Sequence, residues 1–405
     1  MDAVRDISGI YSSLCAGGYS VKFRGFSAID RYLGLPALPF LWADTDADIT
    51  VLARLIDNLR FPGVEIADGA VDTPDGTCYF SCLDSDEKKE KEHTFPLLSF
   101  GYDWQTRRFQ DPLGVYPLLR ELRSGKRDFL DYPNDDSLRK FGRCRLIMDA
   151  SLIFARYDFE TKIAASIPAF TQMPINVPPA LLPGPELQRA FLSCLLVSSR
   201  PDRGLEFLKR SGFLKELWPE LASFDDVDHS KEFHPEGNVW NHTLETFRHR
   251  KAVNNGAFDL GLSLGLLLHD AGKPISASFG NHRFEGHAEL GAKAAVRFLE
   301  RLEFEPSLIQ DIFYLVRNHM LPAALKRLPL TKTAEIMASP LFPTLMELYR
   351  CDESSSFKGL DGYYENSAAY QAYLRNLRNP YRLADGKKIG KNEIRMGIRK
   401  TPVNR

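Results

Sequence analysis

The chain has 405 residues, 44% of them hydrophobic, and its 52 Lys and Arg nearly balance 53 Asp and Glu for a net charge of −1. That length allows two or more domains with cores of their own, and the balanced charge excludes an overall basic field for nucleic acid, leaving such a partner only a local basic groove. Six cysteines (Cys15, Cys78, Cys82, Cys144, Cys194, Cys351) lack the paired spacing of a zinc site and fit reduced thiols, and neither a cleavable leader nor an apolar run of about 18 residues is found, so a soluble cytoplasmic protein with no membrane partner is expected.

In chain order, Met1 to Ala16 reads as a helix, Tyr19 to Phe23 as a strand, Phe26 to Leu33 as a helix and Ala47 to Leu52 as a strand, an alternation that predicts an α/β unit over residues 1–125. Its chemical feature is Asp44-Thr-Asp46-Ala-Asp48. Alternate residues of a strand face the same way, so Asp46 and Asp48 are expected to project together, where a carboxylate pair chelates Mg carrying nucleotide phosphates. An acidic loop is the plainer alternative. The charged run Asp84 to His93 reads as a solvated loop. Residues 126–225 carry helical patterns with Gly and Pro punctuation at Pro178 to Gly184, and residues 226–355 form a further helical region. Within residues 356–405, the stretch Asn366 to Leu377 reads as a helix after a polar loop, Ser354 to Gly362. The tail is locally basic (Lys387, Lys388, Lys391, Arg395, Arg399, Lys400, Arg405) and is most simply a solvated terminus.

Eight of the nine histidines fall between His229 and His319. An apolar helix, Leu260 to Leu268, ends in the adjacent pair His269-Asp270 and is punctuated by Gly272. Neighbours on a helix point about 100° apart, so an imidazole nitrogen and a carboxylate oxygen at such positions reach one metal ion or two adjacent ones. His242 sits in the first turns of another amphipathic helix, and His287, His319 and Asp352 each lie on or beside a helical pattern, so several helices can aim them inward. Any one of these histidines taken alone is more often a hydrogen-bonded residue of a partial core. Their joint spacing reverses that preference. His229, His234, His249 and His282 read as solvated or structural. Imidazole with carboxylate suits Mn, Fe, Ni, Co or Zn better than Ca.

These residues, with Phe233-His-Pro-Glu-Gly and Leu266-Leu-Leu-His-Asp-Ala-Gly-Lys, resemble an HD-domain metal phosphohydrolase, and most of all the HD domain fused to bacterial tRNA nucleotidyltransferases of the poly(A) polymerase family. The resemblance implies that His242, His269, Asp270 and Asp352 hold a divalent ion (Mn, Fe, Ni, Co or Mg), that His287 and His319 serve a second, and that His269, Asp270 and Lys273 are catalytic, with Lys273 a point charge for a substrate phosphate. Tyr19 to Thr50 resembles the polymerase-β-like head of that family, which makes Gly25, Asp46 and Asp48 the candidates for nucleotide and Mg in the head. Phe26 stands where the family has its second glycine and Ile29 where it has an arginine. Glu92 to Ser99 replaces a segment carrying paired arginines, an aspartate and an asparagine, while Asp111-Pro-Leu-Gly114 matches the usual turn. The family's base-selecting neck residues are replaced in Arg143-Cys-Arg-Leu-Ile-Met-Asp.

The expected architecture is α+β and multidomain. A nucleotidyltransferase-like head of mixed sheet and helices (1–125) precedes a helical, RNA-binding-like neck (126–225), an all-α HD domain (226–355) and a basic tail (356–405). The expected function is hydrolysis of a nucleotide or RNA-terminal phosphoester, the tRNA 3′ end included, with a head that has lost or altered nucleotide addition. Three other readings are an active nucleotidyltransferase using Asp46 and Asp48 with Mg, a non-catalytic RNA-binding module and a nucleotide sensor.

Overall fold

A computed structural model describes residues 6–63, 67–74, 76–82, 93–124, 142–157, 182–228, 237–253, 256–280, 284–356, 359–379 and 381–388. The chain forms two compact units, Met1–Trp218 with Lys251–Leu260, and Pro219–Arg250 with Gly261–Arg405. Most of the charged run (84–92), residues 178–181 of the Gly and Pro punctuation and the tail from 389 lie outside the described residues.

The first unit is built on a six-stranded mixed sheet. Helix α1 (Ile7–Ala16), strand β1 (Val21–Arg24) and helix α2 (Phe26–Leu33) follow the sequence pattern closely. The next elements are β2 (Phe40–Thr45), α3 (Ile49–Leu55), β3 (Gly69–Thr73), β4 (Gly76–Cys82), β5 (Gly101–Asp103) and β6 (Arg108–Gln110). The strand order is β3-β4-β2-β1-β5-β6, with β2 and β4 parallel and the other neighbours antiparallel. Tyr11, Phe23, Phe80 and Trp104 pack edge-on beneath it, with Tyr11 and Phe23 ring centroids 4.9 Å apart. One expectation is corrected: residues 49–55 are helical, and the strand lies earlier, at Phe40–Thr45. The Asp48 carboxylate accepts hydrogen bonds from the backbone N–H groups of Thr50 (2.8 Å) and Val51 (2.9 Å), so this aspartate starts a helix instead of standing within a strand.

Helix α4 (Tyr116–Arg123) is followed by α5 (Arg143–Tyr157), α6 (Pro185–Leu196), α7 (Pro201–Arg210) and α8 (Phe213–Leu217), all in the same unit as the sheet. Helix α5 is buried on nearly every face. Asp30 on α2 is itself buried and receives Arg156 at 3.0 Å and the Tyr157 hydroxyl at 3.1 Å, which fastens α5 to the head. A buried pair of this kind fixes geometry more than it adds stability, and removing one partner strands the other charge.

The second unit has no strand among its described residues. It comprises α9 (Pro219–Ala222), α10 (Val239–Arg248), α11 (Leu260–Leu268), α12 (Lys273–Ser278), α13 (His287–Arg301), α14 (Pro306–Asn318), α15 (Leu330–Met337), α16 (Phe342–Ser354) and α17 (Asp361–Arg378). Helix α11 is apolar all round because it is the central rod: Leu262, Leu264, Leu266, Leu267 and Leu268 are buried, each contributing roughly 1.5–3 kcal/mol. Gly265 lets Leu315 of α14 and Leu348 of α16 close on it, since a β-carbon there would stand 3.0–3.2 Å from their methyls. The polar loop expected at 354–362 is shorter than the sequence pattern implied. Ser354 ends α16, and α17 begins at Asp361, whose carboxylate suits the positive end of the helix. No helix among the described residues is long and apolar enough to cross a membrane.

Candidate metal centre

Helix α10 begins at Asn238, whose side-chain oxygen accepts from the Asn241 N–H at 2.9 Å and which thereby puts His242 on the inward side of the first turn. His269 and Asp270 occupy the turn between α11 and α12, held at the end of the buried rod. Gly272 brings in the next ligand candidate. A β-carbon at that position would stand 1.9 Å from the His287 carbonyl oxygen, so glycine is what allows the start of α13 to press against the turn. His319 follows the last turn of α14, and Asp352 lies in the last turn of α16.

These six residues gather into two groups of three. In the first, His242 Nε2 lies 3.0 Å from Asp352 Oδ1 and 3.2 Å from His269 Nε2. In the second, His287 Nε2 lies 3.1 Å from His319 Nε2, and Asp270 Oδ1 is 3.5 Å and 3.8 Å from the two rings. Asp270 joins the groups, because its other oxygen, Oδ2, lies 3.3 Å from His269 Nε2 and 3.8 Å from His242 Nε2. The four histidines and Asp270 are buried, while the Asp352 side chain is 26% exposed and marks the solvent side.

The tautomers follow from the opposite ring nitrogens. Nδ1 of His269, His287 and His319 each donates to the carbonyl three residues earlier, Leu266 at 2.8 Å, Phe284 at 2.8 Å and Val316 at 2.7 Å. Nδ1 of His242 meets Ser355 Oγ at 3.2 Å, and that hydroxyl donates to the Asp352 carbonyl at 2.6 Å, so it accepts from the ring. A neutral imidazole with its proton on Nδ1 carries a lone pair on Nε2. The arrangement therefore sets four lone pairs and two carboxylates against one another at 3–4 Å, a donor set that fits a cation and repels itself without one.

The electrostatics agree. Burial works against charge on Asp270, but Lys273 and then His269 hold its carboxyl well below the usual range. Partial burial works against charge on Asp352 too, but the neighbouring His242 ring holds its carboxyl below the usual range. Burial lowers the His319 ring to about 4, with His269 adding to the effect, and burial also lowers His287 against the pull of Asp270. At neutral pH both rings are neutral, the form that ligates metal. Lys273 Nζ is 2.6 Å from Asp270 Oδ2, so it sits against a candidate ligand instead of facing solvent alone. His249 stands apart, 3.5 Å from Glu245, and His229, His234 and His282 lie outside the described residues. Ser355 and the three carbonyls were missed by sequence reasoning. The available signal was the placement of each histidine at a helix end, where the carbonyl three residues back is open to the ring.

In the head, Gly25 has φ 59°, a left-handed conformation that favours glycine, and its N–H donates to the Phe100 carbonyl at 2.9 Å. Asp46 and Asp48 do not share a strand face. Asp46 accepts from the Ser20 N–H at 2.6 Å, and Asp48 caps α3, with the Thr50 hydroxyl holding its carboxyl below the usual range. The carboxylate on the strand is Asp44, which pairs with Arg24 at 2.8 Å and lines a cavity of about 380 Å³.

The HD domain family matches residues 239–339. The chain is 34% identical over 180 residues to the CC-adding tRNA nucleotidyltransferase of Thermus thermophilus, which covers 43% of this chain and 40% of that protein. It is 36% identical over 126 residues to the Multifunctional CCA protein of Halorhodospira halophila, covering 31% of this chain and 29% of the relative. The matches thus span well under half the length of these relatives. Among solved structures, the Bacillus stearothermophilus CCA-adding enzyme in complex with CTP aligns at a TM-score of 0.49 and 12% identity, covering 91% of this chain and 82% of that one. The chain carries an HD domain and is tRNA nucleotidyltransferase-like.

Proposed function

We propose that the histidine–aspartate centre holds divalent metal and hydrolyses a phosphoester of a nucleotide or of an RNA terminus. One observation carries this reading: four Nε2 lone pairs are held against each other by hydrogen bonds on the opposite ring nitrogens. His242, His269 and Asp352 would hold one ion and His287 and His319 another, with Asp270 facing both groups. Metal bound there supplies a polarised phosphoryl oxygen and a water of lowered pKa. The chain's own contribution is orientation. Ser355 and the carbonyls of Leu266, Phe284 and Val316 fix the rings, and the buried wall excludes bulk water. Lys273 balances the Asp270 charge and would offer a point charge to a substrate phosphate. The names of the relatives, a CC-adding tRNA nucleotidyltransferase and a Multifunctional CCA protein, support a nucleotide or the tRNA 3′ end as the substrate class.

Those same names favour a second reading, in which the protein transfers nucleotides to tRNA through its head. Against it stand the local bonds that occupy Asp46 and Asp48 and the Arg24 partner of Asp44. The test is hydrolysis of 2′,3′-cyclic and linear nucleotides with added Mn, Co or Ni, run beside incorporation of CTP and ATP into tRNA. Hydrolysis that disappears in Asp270→Ala supports the first reading. Incorporation that persists in Asp270→Ala and is lost in Asp44→Asn establishes the second.

A further inference from the structure

Among the described residues, Arg107, Phe284 and Glu303 take up positive φ without being glycine. Phe284, with φ 53°, is the one beside the metal centre. A bulky side chain is disfavoured in the left-handed region and persists there only where its surroundings impose it. Those surroundings are specific. The Phe284 carbonyl receives both the backbone N–H of His287 at 3.1 Å and its ring Nδ1–H at 2.8 Å. Gly286, with φ 77°, completes the turn into α13. The same turn carries the Phe284 ring to Lys273, whose Nζ lies over the ring face 6.0 Å from its centroid. That ammonium is also 2.6 Å from Asp270 Oδ2. One residue thus reaches two members of the centre through different atoms.

A lysine ammonium rides on a flexible four-carbon stem, so a single carboxylate fixes its place only loosely. An aromatic face is a second anchor, because the ring quadrupole attracts the cation. The Lys273 side chain is 12% exposed, and at that burial solvent screens both attractions weakly. We propose that Phe284 is a positioning residue of the centre: its ring holds the Lys273 ammonium in place, and its left-handed backbone sets His287. The consequence for a substrate phosphate rests on the metal and phosphoester reading given above. The hold on Lys273 does not. Substitution separates the two contributions: glycine adopts the left-handed backbone freely and keeps the carbonyl without the ring, leucine keeps apolar bulk without a π face, and tyrosine keeps both.

The first measurement uses the full chain without metal. Acetylation of Lys273 by acetic anhydride is followed residue by residue by mass spectrometry. Its rate should rise roughly fivefold in Phe284→Gly and Phe284→Leu and stay within about twofold of wild type in Phe284→Tyr. Lys293, 60% exposed, should keep its rate in every variant. The second measurement titrates inorganic phosphate into Mn-loaded protein. Phe284→Leu should raise the Kd roughly fivefold, and should add nothing when made on Lys273→Ala, because the ring acts through the ammonium. Phe284→Gly should keep the wild-type Mn content, and circular dichroism of each variant checks the fold. The proposal is overturned if Lys273 reacts at the wild-type rate in both Phe284→Gly and Phe284→Leu. It is equally overturned if Phe284→Leu weakens phosphate as much on Lys273→Ala as on wild type, or if folded Phe284→Gly loses Mn. A wild type that takes up no Mn would end the metal reading instead, and the acetylation rates would still decide whether Phe284 holds Lys273.

Discussion

The two units both present clustered aspartates, yet they treat them in opposite ways. In the first unit five described aspartates are taken up by the protein itself: Asp30 by Arg156 and Tyr157, Asp44 by Arg24, Asp46 by the Ser20 N–H, Asp48 by the start of α3, and Asp149 by Thr94. In the second unit Asp352, and Asp270 beside its Lys273 partner, face imidazole nitrogens whose protons have been drawn to the other side of the ring. An acidic residue satisfied locally is structural. One held against further electron-pair donors is where a cation belongs.

The comparison is broken or sharpened most strongly at Asp270. Asp270→Ala should release metal and lower hydrolysis by about 1,000-fold or more, since Asp270 faces both groups. Gly272→Ala comes next. Backbone meets backbone there, so the turn or α13 must move, and a loss of about 3 kcal/mol by chemical denaturation is expected. Acid should act on the second unit through His319. Its ordinary pKa of 6.5 falls to about 4 in the folded state, so as pH drops through 6.5 the unfolded chain binds a proton that the fold refuses. Metal-free protein should therefore lose up to about 3 kcal/mol between pH 6.5 and 4, and His319→Asn should flatten that profile in thermal melts. Below that range Asp270 and Asp352, both held ionised in the fold, continue the loss as they protonate. Ser355→Ala should weaken metal binding by roughly 10- to 100-fold, measured by chelator competition, because it frees the His242 ring without removing a ligand. The smallest effect is expected in the head, where Asp46→Ala with Asp48→Ala should lower the melting temperature slightly and leave hydrolysis unchanged. A large loss of hydrolysis there would show that the head carboxylates serve the reaction.

Much of the second unit is legible in the sequence, since an apolar nine-residue rod ending in His269-Asp270 can be read from composition alone, and histidines at successive helix ends declare an inward focus. Ser355 is not legible, because its contact with His242 spans 113 residues and depends on how α16 packs on α10. The head misleads in one place. Asp46 and Asp48 mimic the period of a strand, but Asp48-Ile-Thr is a helix start, and the strand period belongs to Trp42 and Asp44. The Arg24–Asp44 pair arises from strand register, with Lys22 opposite Asp44 and Phe23 opposite Ala43, which no local pattern specifies.

The most direct test of the central claim is elemental analysis of the purified chain, as wild type and as Asp270→Ala. The geometry leads us to expect divalent metal in the wild type, approaching two ions per chain, and its loss in the variant while circular dichroism stays unchanged. A wild type that takes up no metal after incubation with Mn, Co, Ni or Zn, or a variant that keeps its full complement, would contradict the account.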